Sequence, residues 1–411
     1  MGILQMNRIF AVAICALTLL NVGCAQSQKS SEKNTASYSW PEEQWDTSSP
    51  EAEGIDPVML NRFVEQLKSD KYGRVNHFIL IRNGRIVVDE KIKRDYTAIA
   101  ANVSPEETIG LNTRNPIFGY EDAYYHPYYK GSDLHSLQSV TKSVTSIALG
   151  IAIDAGHIQG VNAPVSPYFE AYEFDKSDSR RASMTIKDLL TMQSGIEWQT
   201  EGDYQDPLNS TVALENADNW IQLILNHPME REPGKFFEYN DGVSVLLGKI
   251  VREATGQRLD KWAEEHLFDP IGIESYYWKI TPDGEVDSMG GLYLSAHDLA
   301  RVGLLMLRNG KWKDKRVVSQ SWVRQSTERH VIDRAPDDDE SNAGYGYQWW
   351  LPNPVTADTV AFSAFGFGGQ RLTVIPALDL VIVFNGWDLH VDYGAPERAL
   401  RTEVLPDAVR R

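Results

Sequence analysis

Cysteine is nearly absent. The 411 residues hold two, Cys15 and Cys24, both near the N-terminus. No pair remains along the body to close a disulfide, so stability must come from core burial, which this length supplies. No Cys/His cluster shows metal-ligand spacing. Positive charge is also short: 40 Lys and Arg face 57 Asp and Glu, a formal net charge of −17. That excludes nucleic acid as a partner, because phosphate binding needs a basic face. No apolar run is long enough to span a bilayer comfortably, and no internal repeat is present. What remains fits a soluble globular protein with a sizeable core, at 42% hydrophobic and 24% charged residues.

The longest apolar run, Ile9 to Leu20, follows Arg8 and precedes the small-residue stretch NVGC. Charge, apolar core and cleavage site in that order make a secretory signal. Residues 1–24 therefore read as a signal, and the chain as exported, periplasmic in a bacterial cell. Residues 25–45, rich in Ser, Lys and Asn at their start, read as a flexible linker. The folded body is expected over 46–405.

Two early segments give local structure. PVMLNRFVEQLKSD, 57–70, has the apolar spacing of an amphipathic helix. NHFILIRNGRIVVDEKI, 76–92, is two β-rich runs around Asn83-Gly84, a hairpin signal. The middle, about 136–340, reads as mainly helical, with several helices ending at glycine. Strands return in YGYQWWL, QRLTVIP and LVIVFNGW, and a last helix is expected over 395–405. Strands at both ends with helices between predict an α/β (α+β) fold: one antiparallel sheet built from both termini and flanked by helices, plus an inserted helical subdomain. The acidic run at 333–341 reads as a solvated loop.

The chemistry is expected where SLQSVTKSVTSIALGIAIDAG begins, at 136–156. Ser139 and Lys142 stand one helical turn apart and share a face. In the first turn, the serine oxygen also feels the positive helix end. A serine hydroxyl is a weak nucleophile until a neighbour takes its proton. A lysine helps when burial tunes it or when it holds a second base ionised. Alone, the pair reads first as a capping serine and a surface lysine. Downstream, REPGKFFEYNDGVSVLLGKIV (231–251) and the glycine-dense FSAFGFGGQRLTVIPALDLVIVFNG (362–386) change the weighting. A glycine-rich turn into a strand lets backbone N–H groups approach a ligand and form an oxyanion hole.

Over about 50–405, the chain resembles the serine hydrolases related to class C β-lactamases, penicillin-binding proteins and family VIII esterases. Five stretches carry the resemblance in order: S-V-T-K in HSLQSVTKSVTSIALGIAIDAG, TIKDLLTMQSGIEW, PGKFFEYNDGVSVLLG, MGGLYLSAHDLARVGLLMLRNGKW and YGYQWW. The resemblance implies a β-lactamase/transpeptidase-like fold. It makes Ser139 the nucleophile, Lys142 its partner hydrogen-bonding both Ser139 and Tyr239, and Tyr239 the general base and later acid. Tyrosine ordinarily titrates near ~10, and a nearby ammonium lowers it. That chemistry needs no cofactor and no metal. Cys24 after Gly23 resembles a bacterial lipoprotein cysteine, which implies lipidation and a membrane anchor.

The sequence departs from the β-lactamase pattern twice. Asp241 stands where Tyr-x-Asn has its amide, and ionised Asp cannot donate to a substrate carbonyl. Ala364-Phe365-Gly366 stands where a Lys-Thr-Gly cation would hold a carboxylate. The oxyanion donors are then the N–H of Ser139 and one at Gly366 or Phe367. Asp241 and Gln370 are candidate substrate contacts, Gln370 equally a structural residue. Glu215 matches the deacylating glutamate of class A enzymes poorly. His135 and His390 read as structural or exposed. Trp198, Trp349, Trp350 and Trp387 are candidates to line an apolar pocket, with core packing favoured for any one. The expected function is ester or amide hydrolysis through an acyl-enzyme, esterase-like first, then amidase or D-amino-acid peptidase, then β-lactamase. A non-catalytic cell-wall peptide-binding protein is the alternative from another class. Mass spectrometry of the native N-terminus is expected to find a lipid-modified Cys24. An unmodified end near Ala25 would reduce residues 1–24 to a simple secretion signal.

Overall fold

The computed structural model describes residues 39–96, 98, 127–200, 208–331, 342–354, 360–388 and 394–409. The signal, most of the linker, His390 and the acidic run 333–341 lie outside them. Among the described residues no helix is long and apolar enough to cross a membrane.

The hairpin forms where Asn83-Gly84 predicts it. β1 (Val75–Arg82) and β2 (Arg85–Lys91) flank the two residues. Both take positive φ, 53° and 77°, as a tight two-residue turn requires. Five later strands complete the sheet: β3 (Asn342–Tyr345), β4 (Trp350–Pro352), β5 (Phe362–Gly366), β6 (Gln370–Ile375) and β7 (Leu380–Gly386). The order is β2-β1-β7-β6-β5-β4-β3, antiparallel throughout. The N-terminal hairpin thus docks on the last strand, and one sheet is built from both ends of the chain. YGYQWWL is not one strand: it breaks between β3 and β4, where Gln348 turns at φ 63°.

Side-chain alternation divides the sheet. Phe78, Leu80, Ile382 and Phe384 face one layer with Leu60 and Phe63 of α1 (Pro57–Lys68) and Leu400 and Leu405 of the C-terminal helical stretch. Phe78 and Phe384 stack across the strands at 4.7 Å. Ile79, Ile81, Leu372, Val374, Val381 and Val383 face the larger layer. It holds α2 (Val140–Asp154), α3 (Asp241–Thr255) and α4 (Ala296–Leu307). In α2, residues 140–152 are all buried. A helix buried on every side runs through the centre of a core, and its polar residues are bonded there, Lys142 to the Met289 carbonyl, Ser143 to that of Gln348 and Thr145 to that of Ser288.

The linker expected to reach residue 45 ends earlier. Residues 39–45 lie on the body, where Ser39 N–H donates to the Asn83 carbonyl. Trp40 packs edge-on against Trp312 at 5.3 Å, and Trp45 packs against the larger core. Two large aromatic surfaces in so short a stretch outweigh the entropy of a loose tether.

Candidate active site

The chain reaches Ser139 through a strained corner. His135–Ser136 pairs with Leu292–Leu294 as a short strand. Gln138 then takes φ 47°, a conformation costing a non-glycine residue on the order of 1 kcal/mol. Its amide donates to Ser136 Oγ at 3.1 Å, which braces the corner. Ser139 is the N-cap of α2, yet its side chain makes no capping bond. Its Oγ instead accepts from Lys142 Nζ at 2.9 Å.

Lys142 is 2% exposed. Its ammonium donates to Ser139 Oγ, to the Met289 carbonyl at 2.8 Å and to Asp241 Oδ1 at 2.7 Å. Those partners match the three N–H donors of an ammonium. Asp241 is buried at the first position of α3 and accepts from Thr211 Oγ1 at 2.6 Å through its other oxygen. An acid there also meets the positive end of the helix. Asp241, a candidate substrate contact in the sequence, thus holds the lysine with one oxygen and Thr211 with the other. Asn240 supplies the helix cap, its Oδ1 accepting from Val243 N–H at 3.2 Å.

Tyr239 presents its ring to the lysine, with Nζ 5.1 Å from the centroid. The same ring stacks on Trp350 at 5.7 Å and 19°, and Trp350 stacks on Phe365 at 5.6 Å and 14°. Arg371, directly across from Phe365 on β6, lies 3.4 Å over that ring. Of the tryptophans singled out, Trp198, Trp349 and Trp387 are buried in the body, and only Trp350 joins this wall. Ala364 is fully buried and offers no charge. The strand pair does carry a cation, in Arg371 on β6, outside the positions 364–366 where the family motif places it.

Gly366 fixes how closely the sheet meets the nucleophile. A Cβ there would sit 2.4 Å from the Leu137 carbonyl oxygen. Only glycine lets the end of β5 approach the chain two residues before Ser139. Gly366 is thereby carried to the corner that leads into Ser139. Gln370 is occupied structurally: its amide donates to the carbonyls of Phe367 and Gly386, and its Oε1 accepts from Gly386 N–H. His135 is buried, bonded to Asn76 at 2.9 Å and to the Ser136 carbonyl at 2.8 Å. Burial pushes its imidazole down to about 3, so it is neutral at physiological pH.

Three comparisons with known proteins bear on the family and the fold. A family model described as Beta-lactamase matches residues 64–401. The chain belongs to the β-lactamase family. Among curated relatives, the 6-aminohexanoate-dimer hydrolase of Paenarthrobacter ureafaciens is 29% identical over 64% of the chain and 69% of its own length. A putative D-alanyl-D-alanine carboxypeptidase of Escherichia coli K12 is 27% identical over 55% of the chain. The chain spans about half of that relative, 48%. Among solved structures, a putative 6-aminohexanoate-dimer hydrolase from Bacillus anthracis superposes with a TM-score of 0.61 at 19% identity, over 83% of this chain and 80% of that one. A family VIII carboxylesterase gives 0.59 at 18%, over 87% and 99%. At these identities the structural likeness shows the fold, which is the one expected.

Glu215 closes the helix Ser210–Glu215, four residues from Thr211. It is buried, and its Oε2 has no hydrogen-bond partner among the described residues. Burial pushes its carboxyl up to about 7; Asp287 and Asp241 add to the rise, and Lys279 and Lys142 oppose it. The folded state therefore keeps a proton on Glu215 that the unfolded chain releases near 4.5. Between those two values stability rises as pH falls, and above about 7 the full cost is present. Urea unfolding of wild type and Glu215→Gln at pH 5 and pH 8 is expected to show the variant gaining relative stability at the higher pH, on the order of 2–4 kcal/mol. Equal differences at both pH values would place Glu215 in a solvated setting.

Proposed function

We propose that the chain is a serine hydrolase that cleaves an ester or a linear amide through an acyl-enzyme on Ser139. The observation that carries this is the buried Lys142, bonded at once to Ser139 and Asp241. A lysine paired with a carboxylate donates to the serine oxygen and does not accept its proton. The proton must go elsewhere, and Tyr239, under the same ammonium, is the group of suitable chemistry. Ser139 Oγ attacks the carbonyl carbon as its proton passes to Tyr239, which acts as the phenolate under the Lys142 ammonium. The oxyanion meets the N–H of Ser139 and a second N–H at Gly366 or Phe367. Tyr239 returns the proton to the departing alcohol or amine, and water then releases the acyl group by the reverse path.

An ester of a small, apolar acyl group is the first reading. The wall of Tyr239, Trp350 and Phe365 offers aromatic faces, and position 364 gives no cation for a penicillin-type carboxylate. A linear amide is the second, favoured by the relative whose name makes it a hydrolase of an amino-acid dimer. Short p-nitrophenyl esters, a 6-aminohexanoate dimer and a cephalosporin would be compared as substrates. The esters are expected to turn over, with activity abolished in Ser139→Ala and reduced about 10²–10⁴-fold in Tyr239→Phe. Turnover that survives Ser139→Ala would reject the mechanism, and a wild-type rate in Tyr239→Phe would move the base elsewhere. A preference for the cephalosporin would reverse the substrate order.

A further inference from the structure

Away from Ser139, two histidines and a carboxylate converge at the edge of the sheet. His77 is on β1, Asp89 on β2, and His297 in the first turn of α4. The antiparallel register pairs His77 with Lys91 and Ile79 with Asp89, which puts His77 and Asp89 on the face that packs α4. His77 Nε2 lies 2.6 Å from Asp89 Oδ1, and His297 Nε2 lies 2.8 Å from Asp89 Oδ2. The two imidazole rings meet edge to face with centroids 5.5 Å apart. The potential ligand atoms of all three residues lie within 4.8 Å of one another.

We propose that His77, Asp89 and His297 form a binding site for one divalent late first-row cation, with zinc as its natural probe. Imidazole nitrogen and carboxylate oxygen are the donors such ions prefer. Tetrahedral ligands held at about 2.0–2.1 Å are roughly 3.4 Å apart, so the present spacing closes onto an ion by side-chain rotation. A carboxylate only accepts, so each Nε2 now carries its proton toward Asp89. Cation binding moves that proton to Nδ1 and frees the Nε2 lone pair. His77 is 8% exposed and anchors the site, whereas Asp89 and His297 are each 39% exposed and leave a path and a fourth position to solvent. Two other carboxylates lie near this cluster: Asp133 is held by Lys91 at 2.5 Å, and Asp298 by Ser295 at 2.7 Å and Arg301 at 3.6 Å, so Asp89 supplies the charge. Spacing searches miss such a site because its ligands come from three elements. The bound ion would clamp the N-terminal hairpin to the helix that follows the Met289–Leu294 segment.

The test uses the untagged chain after removal of metal with a chelator. Zinc titration by calorimetry is expected to show one equivalent bound with a dissociation constant of about 10 μM or below, and zinc in excess raises the melting temperature by about 2–4 °C. His297→Ala and Asp89→Asn, checked for a wild-type near-UV spectrum, are expected to weaken binding at least about tenfold and to lose the thermal shift. These two half-exposed positions are chosen because truncating buried His77 perturbs folding itself. Cobalt in place of zinc is expected to give visible absorption that both variants lack. No zinc binding up to about 1 mM, or binding unchanged in both variants, would overturn the proposal. Neither result depends on hydrolysis at Ser139.

Discussion

A lysine with almost no exposure is the constraint around which this molecule is arranged. Removing an ammonium from water costs several kcal/mol even after relaxation, and partners must offset it. Lys142 has them on three sides: the Ser139 hydroxyl, the Met289 carbonyl and the Asp241 carboxylate. Each partner then makes its own demand. Asp241 needs Thr211 for its second oxygen and the start of α3 for its charge. Met289 needs the turn held by Asp287, whose carboxylate accepts from the N–H groups of Met289 and Gly290. Glu215 sits within the electrostatic reach of both members of the ion pair, and its burial raises its carboxyl to about 7. One buried cation thus ties together α2, α3, the Ser210–Glu215 helix and the segment leading to α4.

The sheet contributes by approach. β5 comes close enough to the Leu137 carbonyl that residue 366 tolerates no side chain. The aromatic run Tyr239–Trp350–Phe365 joins the end of the sheet to the helical layer, with Lys142 against the first ring and Arg371 against the last. Cations on aromatic faces are worth about 0.5–2 kcal/mol each. That run therefore orients Tyr239 as well as lining one wall of the site.

Much of this was legible in the sequence, for physical reasons. The hairpin followed from Asn83-Gly84, because few dipeptides accept two positive φ values in succession. The sheet built from both termini followed from strand-like runs at each end, and Ser139 with Lys142 from the helical turn between them. The role of Asp241 did not follow. Read as a lost amide, it suggested a weakened substrate contact, whereas in three dimensions it is the lysine's counter-ion. One letter in a motif cannot say which way a side chain points. Gln370, open in the sequence between substrate contact and structural residue, is the latter, bonded to Phe367 and Gly386. Thr211, Met289 and Arg371 carry no motif and meet the site only through packing. The tail of the linker was misread because its polar beginning masked Trp40 and Trp45. His77, Asp89 and His297 were invisible to spacing, since sheet register and helix placement bring them together.

Asp241 holds Lys142 on Ser139, and in the proposed mechanism that contact is what lets the serine react. The most direct measurement is the second-order rate of covalent labelling by a fluorophosphonate, which reports nucleophile reactivity whatever the natural substrate. Asp241→Asn keeps the shape and removes the charge. Its labelling rate is expected to fall at least about 100-fold below wild type in a sample that melts cooperatively, equivalent to roughly 2.7 kcal/mol. Labelling at the wild-type rate would contradict that role and leave the ion pair a feature of the core alone.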